Sequence, residues 1–287
     1  MAMEDIIQVN IFDKTCAHHV RDLGYFTSTE GRKPKKIQFV HDQNPYDGIT
    51  LFTDNCILGD VNSVVSPIKI AWCLESPAVM SHVHNNIHLV AHKFDYVLTY
   101  RDDLIVADSK KFIPNSPGGS FILDGDISLY TSVKSKGVSM VVSGKQAYEG
   151  HVLRHQLLRN AQGLDCFGWG TSNGYLDNKI GALKEYMFHM VIENTRCPHY
   201  FTEKLIDSLV TGCVPVYWGA QNIERYFNVD GFVIFNSLEE LSGIKLSKAL
   251  YESKKQAVEE NFHLAKKYLS SDDHMASKIV ELLKDKV

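Results

Sequence analysis

Apolar and polar positions along this chain fall into short blocks whose spacing alternates between that of strands and that of helices. The clearest case is residues 186–219. Met187, Phe188, Met190, Val191 and Ile192 form an apolar run short enough to predict a strand covered on both faces, and it stops at Glu193 and Asn194. Thr202 then stands where an N-cap belongs, Glu203 and Lys204 fill a first turn, and Leu205, Ile206 and Leu209 make a helical stripe. Cys213, Val214, Val216, Tyr217 and Trp218 predict the next strand.

Elsewhere the pattern is coarser. Residues 6–12, 37–40, 68–74 and 96–100 read as strands of an N-terminal α/β half, with a helix over 83–93. The run Asn-Ser-Pro-Gly-Gly-Ser at 115–120 is a breaker suited to a connection between halves. Residues 138–143 open a second α/β unit, a helix follows over 148–160, and strands and helices alternate through Leu241. The tail over 247–284 is helical by composition and period. Alternating strands and helices predict parallel sheets with helices on both faces.

This pattern places chemistry at one point. Ligands of open α/β sheets sit beyond the carboxyl ends of the strands, and a helix N-terminus offers unpaired N–H groups to an anion. A lysine in the first turn opposes the helix dipole, which favours acids there. Lys204 is easiest to explain if it faces a bound phosphate.

Composition narrows the class. The chain has 287 residues, 44% hydrophobic and 22% charged, with a net charge of −4, as in an ordinary soluble globular protein of one large or two modest domains. No global basic field argues for nucleic acid, and the Arg32-Lys33-Pro34-Lys35-Lys36 cluster reads as a solvated loop. The apolar runs fall short of the ~20 residues a transmembrane helix needs, and Glu4 and Asp5 spoil a secretory signal. Cys16, Cys56, Cys73, Cys166, Cys197 and Cys213 form no C-x-x-C pair; Cys73 and Cys213 lie in predicted strands as core residues. A soluble protein of a reducing cytoplasm is the expectation. His82, His84, His88 and His92 are the densest histidine cluster; on one helical face they would be a route to a metal, the other reading being hydrogen-bonding or surface histidines. No metal-ligand motif is recognised.

Glu193-Asn194, Tyr200, Thr202-Glu203-Lys204, then Val214-Pro215-Val216 and Gly219 stand in one order and spacing over more than thirty positions. Upstream lie Trp-Cys-Leu-Glu-Ser-Pro at 72–77 and Phe-Asp-Tyr-Val-Leu-Thr-Tyr-Arg-Asp-Asp at 94–103. Together these resemble the GDP-fucose-dependent α-1,3/4-fucosyltransferases, glycosyltransferase family 10, over roughly residues 65–245, in a soluble bacterial- or viral-type member. The resemblance implies a GT-B-like α/β fold of two Rossmann-like parallel-sheet domains facing a cleft, with C-terminal helices. On that reading 1–125 is an acceptor-side α/β domain, 126–245 the donor-binding domain, and 246–287 helices packing back on the domains.

What the resemblance implies for function is an inverting transfer of L-fucose from GDP-fucose to a glycan hydroxyl. The acceptor would be an oligosaccharide or glycoconjugate containing GlcNAc or glucose, the linkage of α-1,3 type. Glu75 matches the family's base; Arg154 and Lys204 match its phosphate cations, with Lys145, Arg159 and Arg196 able to share the role. Glu203 matches a ribose-binding carboxylate, and Asn194, Tyr200, Tyr100 and Ser143 donor contacts. Arg101 organises polar groups or pairs with Asp102 or Asp103; Glu193 orients Asn194 or a nearby backbone group. No cofactor is required beyond the GDP-fucose co-substrate, and a divalent cation is at most a non-essential stimulant. The departures are Ser143-Gly144 where the family has Ser-Asn, extra residues before Arg154, Thr195 for serine, and His189 where a donor-contacting tyrosine is common. They leave another GDP-sugar as the alternative donor; a catalytically silent sugar-nucleotide or glycan-binding protein is the alternative of another class.

Overall fold

The computed structural model describes residues 6–14, 32–114, 116–160 and 162–284. It divides into two units: residues 1–119, 197–200 and 270–287 form the first, and residues 120–196 and 201–269 the second.

The first unit is a parallel sheet of six strands: Ile7–Phe12 (β1), Ile37–His41 (β2), Ile49–Thr53 (β3), Ile68–Trp72 (β4), Tyr96–Thr99 (β5) and Phe112–Pro114 (β6), in the order β2-β1-β3-β4-β5-β6. Its helices are Asn55–Gly59 (α1), Ser81–Val90 (α2) and Asp102–Ala107 (α3). Because successive strand side chains point to opposite faces, one strand feeds two cores. Phe52, Ala71, Cys73 and Val97 pack with Val83 and Ile87 of α2 on one face. Leu51, Ile70, Trp72 and Leu98 pack with Val9 and Ile11 on the other.

Strand β3 has no counterpart in the sequence reading, yet it lies between β1 and β4. Two of its five residues are threonines, which hide the apolar run. Both are fully buried because their hydroxyls are paired: Asn10 donates to Thr50 Oγ1 at 3.3 Å, and Thr53 Oγ1 donates to Asp13 Oδ1 at 2.5 Å. The helix expected over 83–93 starts two residues earlier and ends in a 3₁₀ turn, Ala91–Lys93. Arg32, read as part of a solvated loop, is buried, and the Lys35 and Lys36 amides both donate to Asp273 Oδ1, at 2.7 and 2.8 Å. Cys16 and Asn115 lie outside the described residues.

The second unit is a parallel sheet of five strands: Lys136–Val142 (β7), Leu164–Gly168 (β8), Tyr186–Ile192 (β9), Val214–Trp218 (β10) and Val233–Ile234 (β11), in the order β11-β10-β9-β7-β8. The helices are Glu149–Arg159 (α4), Glu203–Val210 (α5), Leu238–Ser242 (α6), Lys248–Ser253 (α7) and Lys255–Ala265 (α8). Val191 and Tyr217 face Leu205, Ile206 and Leu209 of α5, while Met190, Ile192, Val216 and Trp218 face the opposite core. Both sheets are thus covered on both faces, as buried parallel sheets are.

The last helix, Ser271–Leu283 (α9), belongs to the first unit. Its Met275, Ala276 and Ile279 close the core formed by β1, β3 and β4, and Tyr96 donates to the Leu282 carbonyl at 2.8 Å. Two Rossmann-like parallel sheets with a helical C-terminus are the fold class expected from the resemblance. No helix among the described residues is long and apolar enough to cross a membrane.

Ile279 is 1% exposed, so truncation leaves a cavity rather than a hydrated notch. Ile279→Ala is expected to cost about 2–5 kcal/mol of unfolding free energy in urea melts.

Candidate functional site

In the second sheet the chain passes from β7 outward to β8 and then crosses back to β9 on the other side of β7, so the topological switch lies between β7 and β9. Their carboxyl ends are Ser143-Gly144 and Glu193-Asn194, where a ligand of such a sheet sits. Three elements converge there: the loop after β7, α4 and the start of α5.

Glu193 is completely buried and closes the elbow between β9 and α5. The Thr202 amide donates to its Oε1 at 2.9 Å and the Thr202 hydroxyl to its Oε2 at 2.7 Å. Burial pushes its carboxyl up, while Lys204 and the two Thr202 bonds pull it back without reversing the shift. Thr202 is the N-cap of α5, its hydroxyl accepting the Lys204 amide at 3.4 Å. Lys204 therefore lies in the first turn, a quarter exposed, with Nζ 2.9 Å from Glu203 Oε1 and 3.1 Å from Thr202 Oγ1. Burial works against both charges of this pair, but the pairing wins. Glu203 falls to about 2 under Lys204 and Lys179, and Lys204 rises under Glu203 and Glu193.

Two glycines let backbone and side chains approach this closely. A β-carbon on Gly150, in the first turn of α4, would lie 1.7 Å from the Glu193 carbonyl oxygen, and the Gly150 amide donates to Asn194 O at 3.1 Å. A β-carbon on Gly219 would lie 2.8 Å from Glu193 Cγ. Gly144, in place of the asparagine of the resembled pattern, makes room for an indole: a β-carbon there would meet Trp169 Cδ1 at 3.1 Å.

Arg154 is 6% exposed, which rules out an ordinary solvated helix arginine. It donates to the Ile192 carbonyl and, at 3.2 Å, to Asn194 Oδ1, so it ties α4 to the tip of β9. His151, one turn earlier and also buried, accepts the Tyr148 amide on Nδ1 at 3.3 Å. Burial first, then the charges of Arg154, Lys145, Lys204 and His155, hold its pKa down at about 4. The charges that hold this imidazole neutral thus come from α4, the loop after β7 and α5. Ser143 and Lys145 are exposed, as is Arg159 at the far end of α4, while Arg196 donates to Asn236 Oδ1 at 2.8 Å. His189 is buried under the sheet with Nδ1 2.8 Å from Ser139 Oγ, its pKa pushed down to about 3 by burial and Lys179.

In the first unit Glu75 follows β4, half-buried, in a turn whose main chain is held by buried side chains. Asp54 Oδ1 accepts the amides of Leu74 and Glu75 at 3.0 and 3.2 Å. Tyr100 donates to Leu74 O at 2.8 Å, and His84 Nε2 lies 2.9 Å from Glu75 O. Tyr100, matched by resemblance to a donor contact, is 1% exposed and stacks on His84; Tyr200, also buried, meets its ring edge-on at 5.3 Å. Arg101 pairs with Asp103 and donates to His84 O at 2.8 Å. His84 is buried whereas His82, His88 and His92 are exposed, so these four share no ligating face. Among the described residues no group of three or more His, Cys, Asp or Glu is arranged to hold a metal ion.

Asp54, Gly150 and His151 had no role in the sequence reading, and His84 entered it only as a candidate metal ligand or a hydrogen-bonding histidine, the second of which it is. Of the first three, only Gly150 carried a signal: a glycine in the first turn of a helix that follows a strand.

The family model for glycosyltransferase family 10 (fucosyltransferase), C-terminal part, matches residues 131–283. The α-(1,3)-fucosyltransferase FucT of Helicobacter pylori is 39% identical over 61 residues, 21% of this chain and 13% of the relative. The α-(1,3)-fucosyltransferase B of Drosophila melanogaster is 32% identical over 131 residues, 40% of this chain and 30% of the relative. The chain thus spans under a third of either relative's length. A solved α1,3-fucosyltransferase with GDP-fucose superposes with a TM-score of 0.53 at 14% identity, covering 98% of this chain and 90% of that one. That likeness is one of fold, the GT-B class.

The His151 shift carries a pH signature. Its folded pKa of about 4 lies below the ordinary 6.5, so the unfolded chain takes up the proton first and stability is lost as pH falls through that interval. His151→Gln should lose less melting temperature than the wild type between pH 6.5 and about 4, measured by calorimetry.

Proposed function

The chain belongs to glycosyltransferase family 10, the fucosyltransferases, and we propose that it transfers L-fucose from GDP-fucose to a glycan hydroxyl with inversion at the anomeric carbon. The observation that carries the donor half is Lys204 at the N-terminus of α5, at the switch point, with Arg154 and Lys145 acting on the same buried imidazole. A departing diphosphate gains negative charge, and fixed cations with oriented N–H groups meet it without reorganising.

The second unit is the donor-binding one in this reading and the first the acceptor-side one. Lys204 and Arg154 hold the diphosphate. Glu203, kept ionised by Lys204, accepts hydrogen bonds from the ribose hydroxyls. Asn194, already oriented by Arg154, and exposed Ser143 lie at the two strand ends that border the donor. Tyr100 and Tyr200 serve through the walls they build. The acceptor is an oligosaccharide or glycoconjugate with GlcNAc or glucose, joined through an α-1,3-type linkage.

Glu75 is the base. As the acceptor oxygen forms its bond to the fucose anomeric carbon, the bond from that carbon to the β-phosphate oxygen of GDP breaks. The hydroxyl proton passes to the Glu75 carboxylate and GDP leaves with the electron pair. The β-linked donor becomes an α-L-fucoside. The protein acts as a soluble enzyme of the cytoplasm, with GDP-fucose as co-substrate.

Two variants separate the halves of this reading. Glu75→Gln should bind GDP with near-normal affinity while GDP release from GDP-fucose and an acceptor panel falls at least about a hundredfold; near-normal turnover removes Glu75 from the role. Lys204→Ala should weaken GDP binding by about tenfold or more in calorimetry, and unchanged affinity sinks the phosphate assignment. Stabilisation by another GDP-sugar in place of GDP-fucose would reassign the donor and leave the nucleotide site standing.

A further inference from the structure

Strand β3 ends at Thr53, and β4 ends at Trp72. Beyond those ends the ladder continues through a single residue. The Asp54 amide donates to the Trp72 carbonyl at 3.3 Å, and the Asp54 carboxylate then takes the place of a strand carbonyl for the next two amides, Leu74 at 3.0 Å and Glu75 at 3.2 Å. Both bonds fall on one oxygen, Oδ1. The residue is 1% exposed and adopts φ 39°, ψ −112°, a left-handed backbone for a residue that is not glycine. Such a conformation persists only where the surroundings hold it.

We propose that Asp54 is a positioning residue for Glu75: its carboxylate extends the β3–β4 ladder by two amides and thereby fixes where the Glu75 side chain leaves the main chain. The proposal rests on the reading of Glu75 as the base. The Glu75 carbonyl is held from the opposite side by His84 Nε2, and the Leu74 carbonyl by the Tyr100 hydroxyl, so each peptide group of the turn has its partner on a buried side chain. Asp54 alone serves two of them, and it is the member whose strength as an acceptor changes with protonation. The groups facing it are Glu75 and Asp13, with Cys73 just after β4 and Tyr100 after β5. Burial chiefly, with the like charges of Glu75 and Asp13, brings its carboxyl up to about 7 against the two amide bonds that lower it. Its ionised form grips the amides more strongly than its neutral form. The turn is therefore firmest above neutral pH.

The test joins kinetics to hydrogen exchange in the full chain. Asp54→Ala should speed exchange at the Leu74 and Glu75 amides and lower kcat by about tenfold or more, with the donor KM and GDP affinity within about twofold. Asp54→Asn keeps an oxygen for the same amides and should restore both the protection and most of kcat. The wild-type kcat should rise across pH ~7 where that of the asparagine variant stays flat. Unchanged exchange in Asp54→Ala, kcat within about threefold of wild type, or an asparagine variant no better than alanine would each overturn the proposal. If the alanine variant does not fold, the asparagine variant decides, by whether the rise near pH 7 is gone. Full turnover in Glu75→Gln removes the base and this role together; an inactive Glu75→Gln beside a fully active Asp54→Ala removes the positioning role alone.

Discussion

The buried carboxylate of Glu193 is the constraint on which the second unit's site depends. It sits just beyond the end of β9 with both oxygens bound to Thr202, and Thr202 caps α5. One side chain thus sets the distance and direction between a strand end and a helix start. Burying a carboxylate is costly unless its oxygens are satisfied, and here the satisfying groups belong to the element being positioned. The arrangement also explains two neighbours. Gly150 is needed because the Glu193 main chain occupies the space a β-carbon would take, and Gly219 because the Tyr217 ring and hydroxyl and Glu193 Cγ do. Lys204 is placed by the same cap, so its ammonium is delivered to the helix N-terminus, where unaided helix electrostatics would disfavour it.

The donor-side elements were legible because they are local. Strand, elbow, cap and helix lie within residues 186–219, and each announces itself through residue type and spacing: an apolar run, a threonine before the periodic stripe, a proline-bearing second strand. Glu193 was read as orienting Asn194 or a neighbouring backbone group, and its carboxylate holds the backbone amide of Thr202. Arg154 was legible as a cation but not as a buried one. Its burial follows from the carbonyl of Ile192 and the amide oxygen of Asn194, partners 38 and 40 residues away in sequence. No helical period encodes such a partner.

The first unit was less legible for the same reason taken further. β3 lies in the interior of its sheet, yet it carries threonines at two of its five positions. Each is neutralised by a polar group from β1 or just after it, roughly forty residues earlier. A strand whose polar side chains are paired inside the sheet does not alternate in hydropathy and leaves no period to detect. Asp54 escaped notice similarly, and His84 was noticed only as one of four clustered histidines. As residue types they suggest a loop acid and a helix histidine; only the fold brings them against the main chain of residues 74 and 75.

The two units solve a similar problem with overlapping chemistry, a buried carboxylate in each. In each, a side chain that must be displayed leaves the chain just beyond a parallel strand, where the ladder has run out and the main chain would otherwise be free to move. The second unit spends a buried carboxylate and two glycines, so that its tip is fixed by close contact and by the cap of α5. The first unit spends side-chain hydrogen bonds on four successive main-chain groups, from Asp54, Tyr100 and His84. Close contact fixes position at any pH, since a β-carbon's collision does not titrate. Hydrogen bonds to a carboxylate near neutrality do titrate. The glycine contacts at the tip of β9 therefore hold whatever the protonation state, whereas the glutamate's turn hangs on a carboxylate that responds to the proton concentration in which the glutamate itself must work.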